Sequence, residues 1–423
     1  MTHQIIIDDL IIIPEKKGAD AYTKISYPLR YGVYGEIRNR IYTFQFNSNG
    51  EIKTIHGKGE GWLDAAEWLK RTPGNDWVYF SAGGYTGAYD FTGEYYVPCL
   101  PYPTNAVYGI DQFKESNVKK AFAAYHRLRE KLARINTAAL PEKAARLLER
   151  ILQMTSERLA DRAKKFHEII GGVVTVLPPD ARHVEYDVIP INIADGCLYN
   201  CGFCRVKTGR SYRVRTRDQI TDQMQRLKTF YGADIGNYNS VFIGQHDALF
   251  AGADLIDWAA RQAFEIFEIA ASHMKTPRLF LFGSVDSLLK ADDALFTAIN
   301  RLPFETYINI GLETGDKATL SMLQKPLTVE KIQAAFDKMM AVNRKFDKIE
   351  ITANFVWGQG LPDTHFPSIL DLARNRLDHV HGKGTLYLSP LEDFGSKQEM
   401  LARFAAFKMQ CRLPAYIYLI QRL

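Results

Sequence analysis

Three cysteines, Cys197, Cys201 and Cys204, share the run Asp195-Gly196-Cys197-Leu198-Tyr199-Asn200-Cys201-Gly202-Phe203-Cys204. Thiolates at this CxxxCxxC spacing can hold three corners of an iron–sulfur cubane and leave the fourth iron open. An open iron can bind and cleave a ligand, whereas a cluster closed by four cysteines passes electrons. Two other uses of the same residues stand beside this one. Structural zinc sites pair CxxC with a second CxxC or with HxxxH, and His183 and His246 sit at neither spacing. Three unrelated buried cysteines are the remaining alternative in a chain that holds five.

Such a loop needs a rigid frame. Asp187-Val-Ile-Pro-Ile-Asn-Ile-Ala194 just before it reads as a buried strand. From residue 185 onward, apolar strand patterns alternate with helical ones. The strand candidates are 187–193, 240–244, 278–283, 307–312, 348–356 and 384–388. Helix candidates lie between and after them, at 217–230, 254–274, 286–300, 316–341, 364–376 and 395–409. Six apolar strands alternating with helices predict an α/β fold with a parallel sheet covered by helices.

The strand–cysteine loop–helix order resembles the opening of the radical S-adenosylmethionine (SAM) superfamily. The six βα units match the partial (β/α)6 TIM-like barrel of that superfamily. The resemblance covers about residues 187–390. Below that level, Gly311-Leu-Glu-Thr-Gly-Asp316 resembles the Gly-Leu-Glu-Ser text of one branch. That branch contains the elongator catalytic subunit, the coproporphyrinogen oxidases and the methylthiotransferases. Leu320-Ser-Met-Leu-Gln-Lys-Pro-Leu-Thr-Val-Glu330 is similar to the same branch.

The resemblance implies a [4Fe–4S] cluster on Cys197, Cys201 and Cys204, with SAM chelated to the open iron by its amino and carboxylate groups. One electron would cleave the sulfonium bond, giving methionine and a 5′-deoxyadenosyl radical that abstracts hydrogen from a substrate carbon. A reductant such as flavodoxin or ferredoxin, and an oxygen-sensitive cluster in a reducing cytoplasm, are implied with it.

In such barrels the reacting groups gather at the carboxyl ends of the strands, and several strand ends here carry polar residues. The second strand ends in Gly244-Gln245-His246-Asp247, where the family has a Gly-Gly-Glu-like segment at the SAM amino group. This chain departs from that text and offers Asp247 as the acid; the alternative is a solvated turn. Ser284 and Asp286 follow the third strand. Glu313, after the fourth, is placed for the amino or ribose end of SAM. Its alternative is a helix N-terminal acid, a role Asp316 suits better. Asn354, on the fifth strand, is implied near the ribose and is followed by Gly358-Gln-Gly-Leu-Pro362. A strand period of two leaves open whether Asn354 faces the lumen or the helices. Phe203 is implied beside the adenine, or it packs the loop.

The rest of the chain divides into a β-rich module at 1–115, a helical hairpin or connector at 116–184, the barrel core at 185–392, and a helix with a strand-like tail at 393–423. In the first part, Gln4–Asp8, Gly35–Phe46 and Trp77–Phe80 read as strands, Asn47-Ser-Asn-Gly50 as a turn, and Gly61–Lys70 as a short helix. The stretch from Gly83 to Tyr96 is rich in Gly and Tyr and reads as a loop. In the connector, Val118–Leu132 and Pro141–Leu152 are amphipathic, with Pro141 suited to a helix first turn.

Apolar residues make up 46% of the chain and charged residues 24%, the balance of an ordinary globular protein. No run is long and apolar enough for a bilayer span, and the N-terminus lacks the pattern of a signal peptide. Cys99 and Cys411 are too few for a disulfide framework or for a second cluster. A net charge of +5 is too mild to name a nucleic-acid partner.

Three functional readings follow. The favoured one is a radical SAM enzyme acting on a small molecule or cofactor precursor. The second is an RNA- or protein-modifying radical SAM enzyme, for which Arg205, Lys207, Arg210, Arg213, Arg215 and Arg217 would be the phosphate-facing patch. Without an aromatic-rich basic stripe, these charges read first as solvated or as balancing the site. The third is an iron–sulfur or zinc protein of electron transfer or regulation, which leaves the strand-end residues unexplained. His365, His379 and His381 read as ordinary histidines.

Overall fold

The computed structural model describes residues 4–23, 29–58, 62, 67–81, 97–99, 111–199, 201–202, 204, 211–391 and 397–423. Eight strands come first: β1 (Ile5–Ile7), β2 (Leu10–Lys17), β3 (Val33–Arg38), β4 (Tyr42–Phe46), β5 (Ile52–Gly57), β6 (Trp68–Arg71), β7 (Trp77–Ser81) and β8 (Val97–Cys99). Each pairs antiparallel with the next, so the sheet order equals the chain order. The segment read as one strand from Gly35 to Phe46 is the β3–β4 hairpin, with Asn39 N–H donating to Tyr42 O across the turn. The expected Asn47–Gly50 turn joins β4 to β5. Gly50 takes φ +82 there, and an added Cβ would stand 2.5 Å from the Arg150 backbone.

The helix expected over 61–70 is corrected at its end, where Trp68–Arg71 is a strand. All four of its residues are buried, as are all five of β4, so the inner part of this sheet is covered on both faces. The apolar alternation that marks a half-exposed strand is therefore missing. The Gly83–Tyr96 loop lies outside the described residues.

Three helices follow in place of the expected hairpin: α1 (Ser116–Leu132), α2 (Glu142–Gln153) and α3 (Ser156–Ile170). The extra break comes at Thr155, whose Oγ1 accepts from Arg158 N–H and caps α3. Arg129 secures the end of α2 by donating to the carbonyls of Ile151, Leu152 and Met154. These otherwise unpaired helix-end acceptors are thereby satisfied.

The second sheet is parallel, with order β17-β16-β15-β14-β13-β12-β9. Its strands are β9 (Ile189–Ile191), β12 (Val241–Ile243), β13 (Arg278–Gly283), β14 (Glu305–Glu313), β15 (Ile349–Trp357), β16 (Leu386–Pro390) and β17 (Ala415–Ile417). All six expected strands are present. The C-terminal tail adds a seventh beside β16, so the barrel has one strand more than the six expected. A two-stranded ribbon, β10 (Ala194–Asp195) with β11 (Arg213–Val214), closes the base of the cysteine loop.

The covering helices are α4 (Arg217–Tyr231), α5 (Ala253–Ile266), α6 (Val285–Lys290), α7 (Asp293–Asn300), α8 (Lys317–Met322), α9 (Val329–Lys345), α10 (His365–Leu370) and α11 (Lys397–Gln410). Two expected helices are each broken in two. The helix read over 286–300 restarts at Asp292, which caps α7. The helix read over 316–341 is interrupted by Gln324 at φ +52, followed by Pro326.

One apolar core runs through both sheets and the helices between them, from Ile12 and Phe44 to Ile308 and Phe355. An ionic seam also joins the two sheets. Asp187, just before β9, receives Lys70 at 2.9 Å and Lys53 at 3.5 Å. Asn237 bonds both backbone groups of Val33.

Candidate active site

The cysteine loop leaves the sheet at the carboxyl end of β9. Gly196 adopts φ +77, and Cys197 then bridges to Ser211 on the returning limb. Cys201 is buried, while Cys197 and Cys204 are partly exposed. Cys204 N–H donates to Cys201 O at 3.3 Å. Burial pushes the thiols of Cys197 and Cys201 above the ordinary range, and the neighbouring cysteines push the same way. Lys325 opposes that rise at both thiols.

Two anchors hold the loop against the barrel. Gly202 N–H donates to Leu323 O at 3.1 Å, and a Cβ on Gly202 would meet Gln324 Oε1 at 2.6 Å. Tyr199 OH donates to Asp286 Oδ2 at 2.8 Å and accepts from Asp286 N–H at 3.1 Å. Asp286 in turn pairs with Lys331 at 2.9 Å. Phe203 lies outside the described residues.

The β14 end is built around Glu313. This residue takes φ +66, an uncommon conformation for anything but glycine. The register between β14 and β15 slips between Gly311 and Glu313, a bulge that re-aims the side chain. A Cβ on Gly311 would stand 2.4 Å from Glu313 Oε1, so glycine is required for the carboxylate to fold back. Lys325 Nζ meets that oxygen at 3.2 Å and Gly311 O at 2.8 Å. It also lies 5.8 Å from the centre of the Tyr199 ring. Asp316 accepts from Thr319 N–H and caps α8, so the helix-cap role falls to Asp316 rather than to Glu313.

The β12 end presents Gly244-Gln245-His246-Asp247. Gly244 has φ +93, and a Cβ there would lie 2.8 Å from Ala248 Cβ. Gln245 is buried, and burial lowers the His246 pKa. Asp247 is 2% exposed. Its Oδ1 accepts from Ser284 N–H at 3.0 Å, while Oδ2 is buried with no hydrogen-bond partner. Burial raises its pKa, and its charge in turn raises that of Cys197. Ser284 Oγ accepts from Ser287 N–H at 3.0 Å as the cap of α6.

Asn354 faces the barrel interior, because its Nδ2 donates to Asn309 Oδ1 on β14 at 2.6 Å. Its neighbours Ile351, Ala353 and Phe355 join the apolar core. The interior polar chain continues from Asn309 to Thr352 and from Thr352 to Asp180 at 2.7 Å. Tyr387 OH donates to the second Asp180 oxygen at 2.8 Å. Asp180 lies in the turn Pro179–Val184 that precedes β9. Burial, followed by repulsion from Glu350, raises its pKa to about 7.

The structure therefore gathers the cysteine loop, Asp247 with Ser284, and Glu313 with Lys325 at one end of the sheet, with Asn354 on the inner wall beneath. Sequence reasoning missed Lys325 and Tyr199. Tyr199 lies within the cysteine run and Lys325 within the 320–330 segment, and neither residue type announces a role at that spacing. His365 is structural. Its Nε2–H donates to Val356 O at 2.9 Å, and Nδ1 accepts from Thr314 OH at 2.8 Å. Of the basic run, Arg205, Lys207 and Arg210 lie outside the described residues. Arg215 pairs with Asp195 at 2.5 Å, and Arg217 stacks over Trp258. Two of the described arginines thus serve the fold.

A parallel barrel with three cysteines in the loop after its first strand defines the radical SAM class. Residues 191–373 match the family model described as Radical SAM superfamily, and the chain carries a radical SAM domain. The cofactors of that superfamily are a [4Fe–4S] cluster and SAM. A Methanocaldococcus jannaschii protein described as "Probable threonylcarbamoyladenosine tRNA methylthiotransferase" is 22% identical over 198 residues. The match takes in 46% of this chain and 44% of that protein. Among solved structures, a radical SAM methyltransferase from Sphaerobacter thermophilus is 15% identical, over 55% of this chain and 66% of its own, with a TM-score of 0.34. SuiB from Streptococcus suis is 10% identical, over 83% and 70%, also with a TM-score of 0.34. Among the described residues, no helix is long and apolar enough to cross a membrane.

Proposed function

We propose that the chain is a radical SAM enzyme that abstracts hydrogen from a small molecule or cofactor precursor. Cys197, Cys201 and Cys204 would hold three irons of the cluster. When bound, the cluster and SAM supply a one-electron cleavage that gives methionine and a 5′-deoxyadenosyl radical.

The observation that carries this reading is that three free cysteines lie close enough to act on one another, and Asp247 on Cys197, while Asp247 Oδ2 is a buried carboxylate oxygen without a hydrogen-bond partner. An unpaired buried oxygen of this kind is costly, and a cationic amino group would satisfy it. Gly244 and Gly311 leave room where any side chain would intrude. Lys325 favours the thiolate form of Cys201, the form that ligates metal. Glu313, held by Lys325 at 3.2 Å, is assigned to the amino or ribose end of SAM. Ser284 fixes Asp247 through its N–H. Gln245 and His246 flank that acid, while Asn354 and Phe203 are assigned to the ribose and adenine ends. The Asn309–Asn354 pair gives the interior wall donors and acceptors for a polar substrate.

The domain division at 115, 184 and 392 is part of the same proposal, with the N-terminal module and its helices backing the barrel. A cytoplasmic setting and a flavodoxin- or ferredoxin-type reductant go with it.

Anaerobic reconstitution followed by iron and sulfide analysis tests the ligand assignment. About four irons and four sulfides per chain, with EPR of the reduced cluster altered by SAM and lost in Cys201→Ala, is the expected result. Zinc in place of iron, or a spectrum indifferent to SAM, would overturn it.

A further inference from the structure

Asp378, His379 and His381 lie between the turn Asp371–Asn375 and the start of β16. They are therefore at the amino end of the sheet, opposite the cysteine loop. One ligand atom from each falls within 4.8 Å of the others. Asp378 Oδ1 is 2.7 Å from His379 Nδ1 and 3.5 Å from His381 Nε2. The two imidazole centres are 4.1 Å apart.

The burial of His381 points to a ligand. It is 9% exposed, and its Nε2 is buried without a hydrogen bond. A buried imidazole nitrogen 3.5 Å from a carboxylate, yet making no hydrogen bond, leaves a polar atom that a cation would satisfy. Asp378 and His379 beside it are exposed, which leaves an approach from solvent. The backbone of the loop is held in place, because His381 N–H donates to Arg412 O at 2.8 Å and Arg412 N–H donates to Ala373 O at 2.9 Å.

We propose that these three residues form a second metal site, for zinc or a similar borderline divalent ion, separate from the cysteine loop. Two imidazoles and one carboxylate suit Zn²⁺ and its neighbours, whereas Mg²⁺ and Ca²⁺ demand oxygen donors. Tetrahedral zinc about 2.0 Å from each donor sets the donor atoms about 3.3 Å apart, within the spread found here. The fourth position is left to water. The ion would join the loop before β16 to its own exposed tip.

The test uses the cluster-loaded protein, kept anaerobic and titrated with Zn²⁺ against a competing chelator. Wild type is expected to bind one zinc per chain, with an X-ray absorption spectrum of nitrogen and oxygen donors only. Its melting temperature should rise when zinc is added. Asp378→Asn, His379→Ala and His381→Gln should each weaken binding at least tenfold and lose the thermal shift. His379 is exposed, so its variant answers the question even if His381→Gln fails to fold. Zinc retained equally by His379→Ala, or sulfur donors at about 2.3 Å marking the ion as held by cysteine, would overturn the site.

Discussion

Lys325 Nζ sits 3.2 Å from Glu313 Oε1 with the lysine side chain only 4% exposed, directly behind the loop that carries Cys201. The pair joins three things: a strained strand end, a break between two helices and the candidate cluster loop. Removing one partner of a buried ion pair costs about 3–5 kcal/mol, because the other charge is left uncompensated. Lys325→Met is expected to lower stability by that order and to reduce iron retained after reconstitution. Lys325→Met with Glu313→Gln should recover part of the stability. Chemical denaturation of all three variants, with iron counts, checks this; an unchanged midpoint in Lys325→Met would contradict it.

Tyr199 ties the cysteine loop to the α6 N-terminus by exchanging two hydrogen bonds with Asp286. Tyr199→Phe keeps the ring and loses both bonds, each contributing about 1 kcal/mol. Global stability should fall slightly. Hydrogen exchange and cluster loss under oxygen should both accelerate within the loop, which exchange mass spectrometry would resolve.

Asp180 makes stability depend on pH. Its pKa of about 7 in the fold lies above that of the unfolded chain, so between the two values the folded state binds the extra proton. Stability from this group is full below about pH 4 and is lost as pH rises to about 7. Asp180→Asn removes that loss. Relative to wild type, the variant should gain roughly 3 kcal/mol between pH 5 and pH 8. Denaturant midpoints across that range provide the measurement, and parallel pH profiles would refute the assignment.

Asp187 receives both Lys53 and Lys70, cations from the N-terminal sheet. Asp187→Ala leaves the buried Lys70 and the partly buried Lys53 without their carboxylate and should cost about 3–5 kcal/mol. Limited proteolysis should then release the N-terminal module before the barrel. Intact resistance to protease would show that the apolar core alone holds the two sheets.

The barrel was legible because parallel strands buried on both faces leave continuous apolar runs, as at Arg278–Gly283, where the expected and observed limits coincide. The N-terminal sheet was harder to read. Trp68–Arg71 carries two cations into a buried seam, and its spacing imitated a helix. The left-handed Gln324 leaves no compositional mark of its own, and the visible sign of the break is Pro326, two residues further on. That break is what delivers Lys325 to the site. Cys197, Cys201 and Cys204 are legible by type and spacing, whereas Asp247 rests on the resemblance at the second strand end. The orientation of Asn354 needed its partner Asn309, 45 residues away, and the acid beside His379 and His381 was passed over although Asp378 is adjacent.

The most direct test is to reduce the anaerobically reconstituted protein with dithionite, add SAM, and quantify 5′-deoxyadenosine against Cys201→Ala. The account predicts 5′-deoxyadenosine formed by wild type, at least slowly, and abolished in the variant. A protein with a full four-iron cluster that forms no 5′-deoxyadenosine and whose EPR signal ignores SAM would contradict it.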